Sequence, residues 1–215
     1  MEIKFMEKQF IQIQLGLFFK NDFQGMPENA SLVIKEQFGN DLSAQIIGIP
    51  NNAPSEIPRV VINSPLVNIN LSKNRIDFFS KDKAFITNNH DKIFNVIEKL
   101  SVVIGRVGVV FRYFKEANID EMKSLFDKSK ISNLNPTEIV VRLNEKTKIN
   151  EVISNNSQLY ETGFANDKNG LKKEGVVITR DINSLQEDIN KNEFGKETLK
   201  KFVLVATTEA EKTII

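Results

Sequence analysis

Residues 9–20, QFIQIQLGLFFK, set Phe10, Gln12 and Gln14 against Ile11, Ile13, Leu15 and Leu17. Apolar side chains at every second position fit a strand with one face buried, because a pleated strand sends successive side chains to opposite sides. A second run, residues 103–114, VIGRVGVVFRYF, repeats the pattern. Val103, Gly105, Val107, Val109, Phe111 and Tyr113 fall on one face, and Ile104, Arg106, Gly108, Val110, Arg112 and Phe114 on the other. A chain with two such strands has to build a sheet and cover its apolar side.

The remaining punctuation supplies both. MPENASLVIKEQFGN, residues 26–40, opens with Pro and Asn and closes with Gly-Asn, the start and stop signals of a short helix. AQIIGIP, PRVVINS, PLVNINLS and NRIDFFS follow as short β-rich runs divided by Pro, Asn and Ser, with Lys73-Asn74 placed for a tight turn. In TNNHDKIFNVIEKLSVV, Thr and Asn precede Ile93, Phe94, Val96, Ile97 and Leu100, the spacing of an amphipathic helix. NIDEMKSLFDKSK carries a capping box in Asn118 and Glu121 ahead of a further helix. TEIVVRLNEK, a run through residues 148–160, and EGVVITRDI predict three more strands. Ser184 with Glu187 reads as another capping box, and GKETLKKFVLVATTEA places Leu199, Phe202, Val203 and Ala206 on one face of a closing helix.

The fold class expected is therefore α+β: a largely antiparallel sheet with helices packed on one face. The element order is compatible with two similar β-α-β-β-β-α halves, residues 1–101 and 102–215, arising by internal duplication and forming one continuous globular unit. LFFK (17–20) and RYFK (112–115) each close a first strand, and NRIDFFS and ITRDINS each precede a closing helix.

Gly105 and Gly108 have the Gly-x-x-Gly spacing with which some single-stranded nucleic-acid modules clamp a backbone. Such a loop must lead into a helix, whereas VVFRYFK is built from strand formers. The two glycines then lie on opposite faces of a strand, where glycine marks a bulge or a close backbone approach. The same alternation puts Arg106 and Arg112 on one face with Gly108 between them, a place for carboxylate or phosphate that Gln12 and Gln14 can join if the two long strands pair.

Composition closes several chemistries. With 40% hydrophobic residues in 215, the chain can bury a substantial core. Its 29 basic and 28 acidic residues leave a net charge of +1, so any attraction to nucleic acid must be local. The absence of cysteine removes thiolate catalysis and cysteine metal sites. The first residues lack the pattern of a secretory signal and no apolar run is long enough for a membrane helix, so the expected location is cytoplasmic, with no membrane partner. His90 stands alone at a helix start, which suits a cap or surface role. Asp77 and Asp181 would serve acid–base or metal chemistry only if the fold brought them together; salt bridges to Arg75 and Arg180 are the simpler expectation. No nucleotide-binding glycine loop, serine-hydrolase elbow or His-Glu-x-x-His occurs, and neither a catalytic residue, a metal ligand nor a cofactor is assigned.

PRVVINSPLVNINLSKNRIDFF, IGRVGVVFRYF and GVVITRDIN, taken in order with their helices, resemble a sporadically distributed bacterial protein family of unknown function. Arg106, Val107 and Gly108 match its Arg-Val/Ile-Gly-Leu-Arg-Tyr strand in order, with extra residues before Arg112-Tyr113, and RDIN replaces an Asp-Ile-Asp ending. The resemblance implies architecture and no activity. The expected function is that of a non-enzymatic binding protein engaging a protein partner or itself, as a homo-oligomer, through a sheet face or edge. An accessory protein of a mobile element or bacterial conflict system fits that description. Alternatives are nucleotide or nucleic-acid binding at Arg106 and Arg112, and a carboxylate-dependent hydrolase or nuclease.

Overall fold

The computed structural model describes residues 8–40, 42–50, 52–118, 138–166 and 170–212. In chain order these form β1 (Gln9–Phe19), α1 (Pro27–Phe38), β2 (Ser43–Ile46), β3 (Val60–Asn63), β4 (Asn68–Leu71), β5 (Arg75–Ser80), α2 (Phe85–Asn88), α3 (His90–Lys99) and β6 (Ile104–Glu116). After them come β7 (Val140–Ile149), β8 (Val152–Asn166), β9 (Lys172–Ser184), a 3-10 turn (Gln186–Asp188) and α4 (Lys196–Glu211). One nine-stranded sheet runs β2-β3-β4-β5-β1-β6-β9-β8-β7, with all its pairings antiparallel.

The two long alternating runs, β1 and β6, pair with each other at the centre, Leu15 opposite Val109 and Gly16 opposite Gly108. Outward from this seam the order is β1-β5-β4-β3-β2 on one side and β6-β9-β8-β7 on the other. Alternate residues build the core: Ile13, Leu15 and Leu17 of β1, Ile76 and Phe78 of β5, Val107, Val109 and Phe111 of β6, and Ile178 and Ile182 of β9 are all buried. They share one cluster with Ile34 of α1, Ile93 and Val96 of α3, and Leu199, Phe202 and Val203 of α4. Each such side chain contributes roughly 1.5–3 kcal/mol by leaving water, which makes the face turned to the helices the strongly determined one.

Local signals explain where elements stop. Pro27 occupies the first turn of α1, where its missing N–H costs nothing, and Gly39 ends the helix at φ 136°, a conformation side chains avoid. The Lys73-Asn74 turn forms between β4 and β5, closed by Ser72 N–H donating to the Arg75 carbonyl at 2.9 Å.

Four expectations need correction or lie out of view. The helix expected after Thr87 and the asparagines forms as α3, opening at His90, but no side chain caps it: Thr87 lies in the short preceding helix α2 and donates its hydroxyl to the Ala84 carbonyl. The run expected to be one strand over 148–160 is broken at Asn150-Glu151, both at positive φ (47° and 71°), so β7 and β8 are a hairpin. Ser184 caps no helix: it ends β9 buried, its Oγ accepting from Val107 N–H at 3.0 Å, and no side chain caps the 3-10 turn. The helix expected from Asn118 onward lies outside the described residues.

Candidate functional site

The rows of side chains alternate to those in the core lie on the other face of the sheet. Across the strands they can be followed by register. One row is Asn70, Asp77, Gly16, Gly108, Asn183 and Asn155. Another is Asn68, Phe79, Gln14, Val110, Asp181 and Ser157, and a third is Gln12, Arg112, Thr179, Leu159 and Arg142. Gln14, Phe79, Val110, Thr179, Asp181 and Leu159 are half-buried, the exposure of a sheet face on which no described helix packs.

Gly16 and Gly108 leave the seam without side chains on this face. Phe18 leans across the gap, its ring edge 3.4 Å from where a Gly16 Cβ would sit and 4.0 Å from the corresponding point at Gly108. That ring carries a guanidinium on either side, with Arg106 Cζ at 4.4 Å and Arg75 Cζ at 5.3 Å from its centre. Arg75 Nε donates to Asp77 Oδ2 at 2.7 Å and Gln14 Nε2 to Asp77 Oδ1 at 3.1 Å. Burial pushes the Asp77 pKa up, outweighing the downward pull of Arg75 and Gln14.

Every nitrogen of the Arg106 guanidinium is committed. Nε donates to the Ser184 carbonyl at 3.1 Å, Nη1 to Gln186 Oε1 at 2.7 Å and Nη2 to Asn183 Oδ1 at 3.2 Å. Burial lowers its pKa, with Asp181 opposing. Arg112 shares the face but is exposed and makes no hydrogen bond or ion pair among the described residues. Six positions along a strand separate the two by about 20 Å, too far to grip one carboxylate or phosphate. Gln12 lies directly opposite Arg112, as pairing of the long strands requires, while Gln14 is spent on Asp77.

The other singled-out residues settle individually. Asp77 and Asp181 share the face but stand three strand spacings apart, about 14 Å, with β1 and β6 between them, so they make no acid–base or two-metal pair. Asp77 has its expected Arg75 salt bridge, but Asp181 has none with Arg180, because neighbours in a strand face opposite ways. Asp181 instead accepts from Asn183 Nδ2 at 2.9 Å. Arg180 is buried on the helix side, where Nη2 donates to Asn156 Oδ1 at 2.9 Å and to the Glu209 carbonyl at 3.3 Å, while Nε and Nη1 find no partner among the described residues. His90 is buried rather than on the surface; Nε2 lies 3.0 Å from the Lys196 carbonyl and ties α3 to the start of α4. No group of three or more His, Asp or Glu among the described residues is placed to hold a metal, and no described helix is long and apolar enough to cross a membrane.

Sequence reasoning missed three features of this face: the Phe18 ring over the glycine pair, the burial of Asp77, and the basic side chains of Arg142 and Lys146 at the β7 side. Only the first had a local signal, an aromatic two residues after a strand glycine. Comparison with known protein families and with curated proteins finds no match.

Proposed function

We propose that the protein is a non-enzymatic binding protein that engages a protein partner, including a second copy of itself, through the sheet face on which no described helix packs. The observation that carries this reading is the seam strip: the half-buried Phe18 ring seated over Gly16 and Gly108, with half-buried Phe79, Val110 and Leu159 beside it among amides. Protein interfaces characteristically set aromatic and aliphatic anchors among groups that hydrogen-bond, with charge held to the rim. Here the central charges are engaged internally, Arg75 and Asp77 as an ion pair and Arg106 by hydrogen bonds to neutral acceptors, which lowers the cost of covering them.

Light scattering on the full chain, together with affinity capture, tests the proposal. Val110→Glu on the seam should abolish the dimer or the captured partner, and Leu32→Glu on the exposed side of α1 should leave either unchanged. A strict monomer that captures nothing, or capture indifferent to Val110→Glu, removes the reading.

A second reading, nucleic-acid binding, is favoured by Arg112, Arg142 and Lys146, exposed on the same face and free of ion pairs among the described residues. Oligonucleotide binding that weakens with salt and is lost on combining Arg112→Ala with Arg142→Ala would support it. No binding at low salt would dismiss it.

A further inference from the structure

The sheet ends in two edge strands of different character. β2 spans only Ser43–Ile46, short in the way that exposed edges are ordinarily blunted. β7 runs 10 residues against β8 with no proline and no shift of register, and no strand among the described residues pairs with its outer side. Thr162 N–H donates to the Ile139 carbonyl at 3.0 Å, and the Asn150-Glu151 turn closes on the pair Ile149 and Val152. Backbone direction alternates along an antiparallel ladder, so Val141, Leu143, Glu145, Thr147 and Ile149 turn N–H and C=O toward β8. Val140, Arg142, Asn144, Lys146 and Lys148 turn theirs outward.

The side chains of this outward set lie on the face away from the helices, and they are basic. Arg142 and Lys146 are exposed and make no ion pair among the described residues, while Lys148 pairs with Glu151 of the turn. On the helix side Val141 is half-buried and Leu143 exposed, and Glu145 accepts from Asn156 Nδ2 at 2.9 Å. An edge of this kind selects its occupant by charge, because residues directly opposite on neighbouring strands attract or repel. A second β7 would bring its own Arg142, Lys146 and Lys148 against these and is disfavoured. A nucleic acid meets the same charges but cannot extend the ladder, and β7 carries no aromatic ring on which a base could stack.

We propose that β7 takes up an extended acidic peptide as an added antiparallel strand, with carboxylates at alternate positions beside Arg142 and Lys146 and apolar side chains between them covering Val141 and Leu143. Main-chain hydrogen bonds to the outward residues hold it, and the alternation of charge sets its register. This surface is the edge of the sheet rather than its seam, so the proposal does not rest on the reading of the seam above.

The experiment titrates the full chain into a labelled peptide of alternating Glu and Val, about nine residues long to span β7, following anisotropy. A peptide with Lys in place of Glu and an oligothymidylate serve as comparisons. The Glu peptide should bind saturably and the Lys peptide should not. Combining Arg142→Glu with Lys146→Glu should weaken the Glu peptide at least about tenfold and transfer the preference to the Lys peptide. Asn144→Pro removes one outward N–H and no bond to β8, as an edge strand tolerates, and should weaken binding about fivefold. Opposed residues in an antiparallel pair exchange bonds on one face, so methylating the peptide's Glu nitrogens should abolish binding and methylating its Val nitrogens should not. That arm leaves the protein untouched and decides the matter if a variant fails to fold. No saturable binding of the Glu peptide, equal binding of the Lys peptide, indifference to methylation of the Glu nitrogens, or an oligothymidylate that binds more tightly than the Glu peptide would each overturn the proposal.

Discussion

Replacing Gly105 and Gly108 separately by Ala should move stability in opposite directions. Phe18 pairs with Arg106 and Phe19 with Ile104, so Gly105 is the extra residue of a bulge in β6. A Cβ there would lie 2.1 Å from the Ile189 carbonyl oxygen and 2.9 Å from both Ile189 Cγ1 and Lys20 Cγ. The oxygen belongs to backbone that cannot retreat freely: Phe194 N–H donates to the Ile104 carbonyl at 2.9 Å, and Arg106 Nη1 holds Gln186 at 2.7 Å. Overpacking against such a segment costs about 1–3 kcal/mol, and straining one of these bonds about 1 kcal/mol more. The reduced freedom of the unfolded chain returns about 0.4–1 kcal/mol, leaving Gly105→Ala destabilised by about 2 kcal/mol. At Gly108 the nearest atom to a Cβ is Asn183 Cβ at 3.4 Å, ordinary contact, so only the unfolded-state gain of about 0.5 kcal/mol applies. With a urea slope of about 2–3 kcal/mol/M, the two midpoints should separate by about 1 M, with slopes unchanged. Equal shifts of the same sign would refute the reasoning, since a flexible glycine loop would treat the two positions alike.

Three further outcomes follow from single residues. Glu151 takes φ 71° in the β7–β8 turn, where Gly is at ease, so Glu151→Gly should stabilise the chain by about 1 kcal/mol in urea melts; a loss of stability would show that the Lys148–Glu151 ion pair matters more. Because Asp77 has its pKa raised in the fold, its contribution is fully present below the unfolded value of about 3.9 and lost as pH rises through the folded value. Asp77→Asn should therefore remove part of the native chain's loss of stability from about pH 4 upward, and parallel pH profiles for the two proteins would contradict this. Tyr113 and Tyr160, both tyrosines of the chain, have raised pKa values through burial, Tyr113 to about 12. Phenolate absorbance should be weak in the folded chain at a pH of about 10.5 and strong in denaturant, where phenols titrate near about 10. The matching stability is present below that unfolded value and lost as pH rises through the folded one; identical folded and unfolded titrations would disprove the burial.

Most of the sheet was legible because burial imposes a period on it. Ile13, Leu15 and Leu17, like Val107, Val109 and Phe111, alternate without interruption, and the same alternation correctly placed Gln12, Gln14, Arg106 and Arg112 on the opposite face. Pro27 and Gly39 bounded α1 for reasons internal to a helix. The misreadings occur where distant partners override local preference. Ser184 has the local look of a cap, yet its hydroxyl serves Val107, 77 residues away, and Arg180 looks poised to pair with Asp181 until the strand turns them apart. Glu151 at positive φ contradicts its own propensity, since the long β7–β8 ladder fixes the turn between its ends.

The same distinction decides how the two arginines of the face should be understood. Alternation makes Arg106 and Arg112 equivalent; tertiary structure makes them opposites. Arg106 reaches three acceptors contributed by residues 183, 184 and 186 and stacks on Phe18, so it ties the end of β9 to the seam. Allowing for its partial exposure, Arg106→Ala should cost about 2 kcal/mol, from hydrogen bonds to a charged donor and one cation–π contact. Arg112, exposed and without such contacts, should change stability by less than about 0.5 kcal/mol on truncation to Ala. Denaturation midpoints of the two variants measure the difference directly, and equal losses would mean that Arg106 is not the anchor its bonds describe. If the difference holds, a partner of this face must find its charge at Arg112 and toward β7, and its apolar contact at Phe79, Val110 and Leu159. Arg106 then acts only by holding that surface in place.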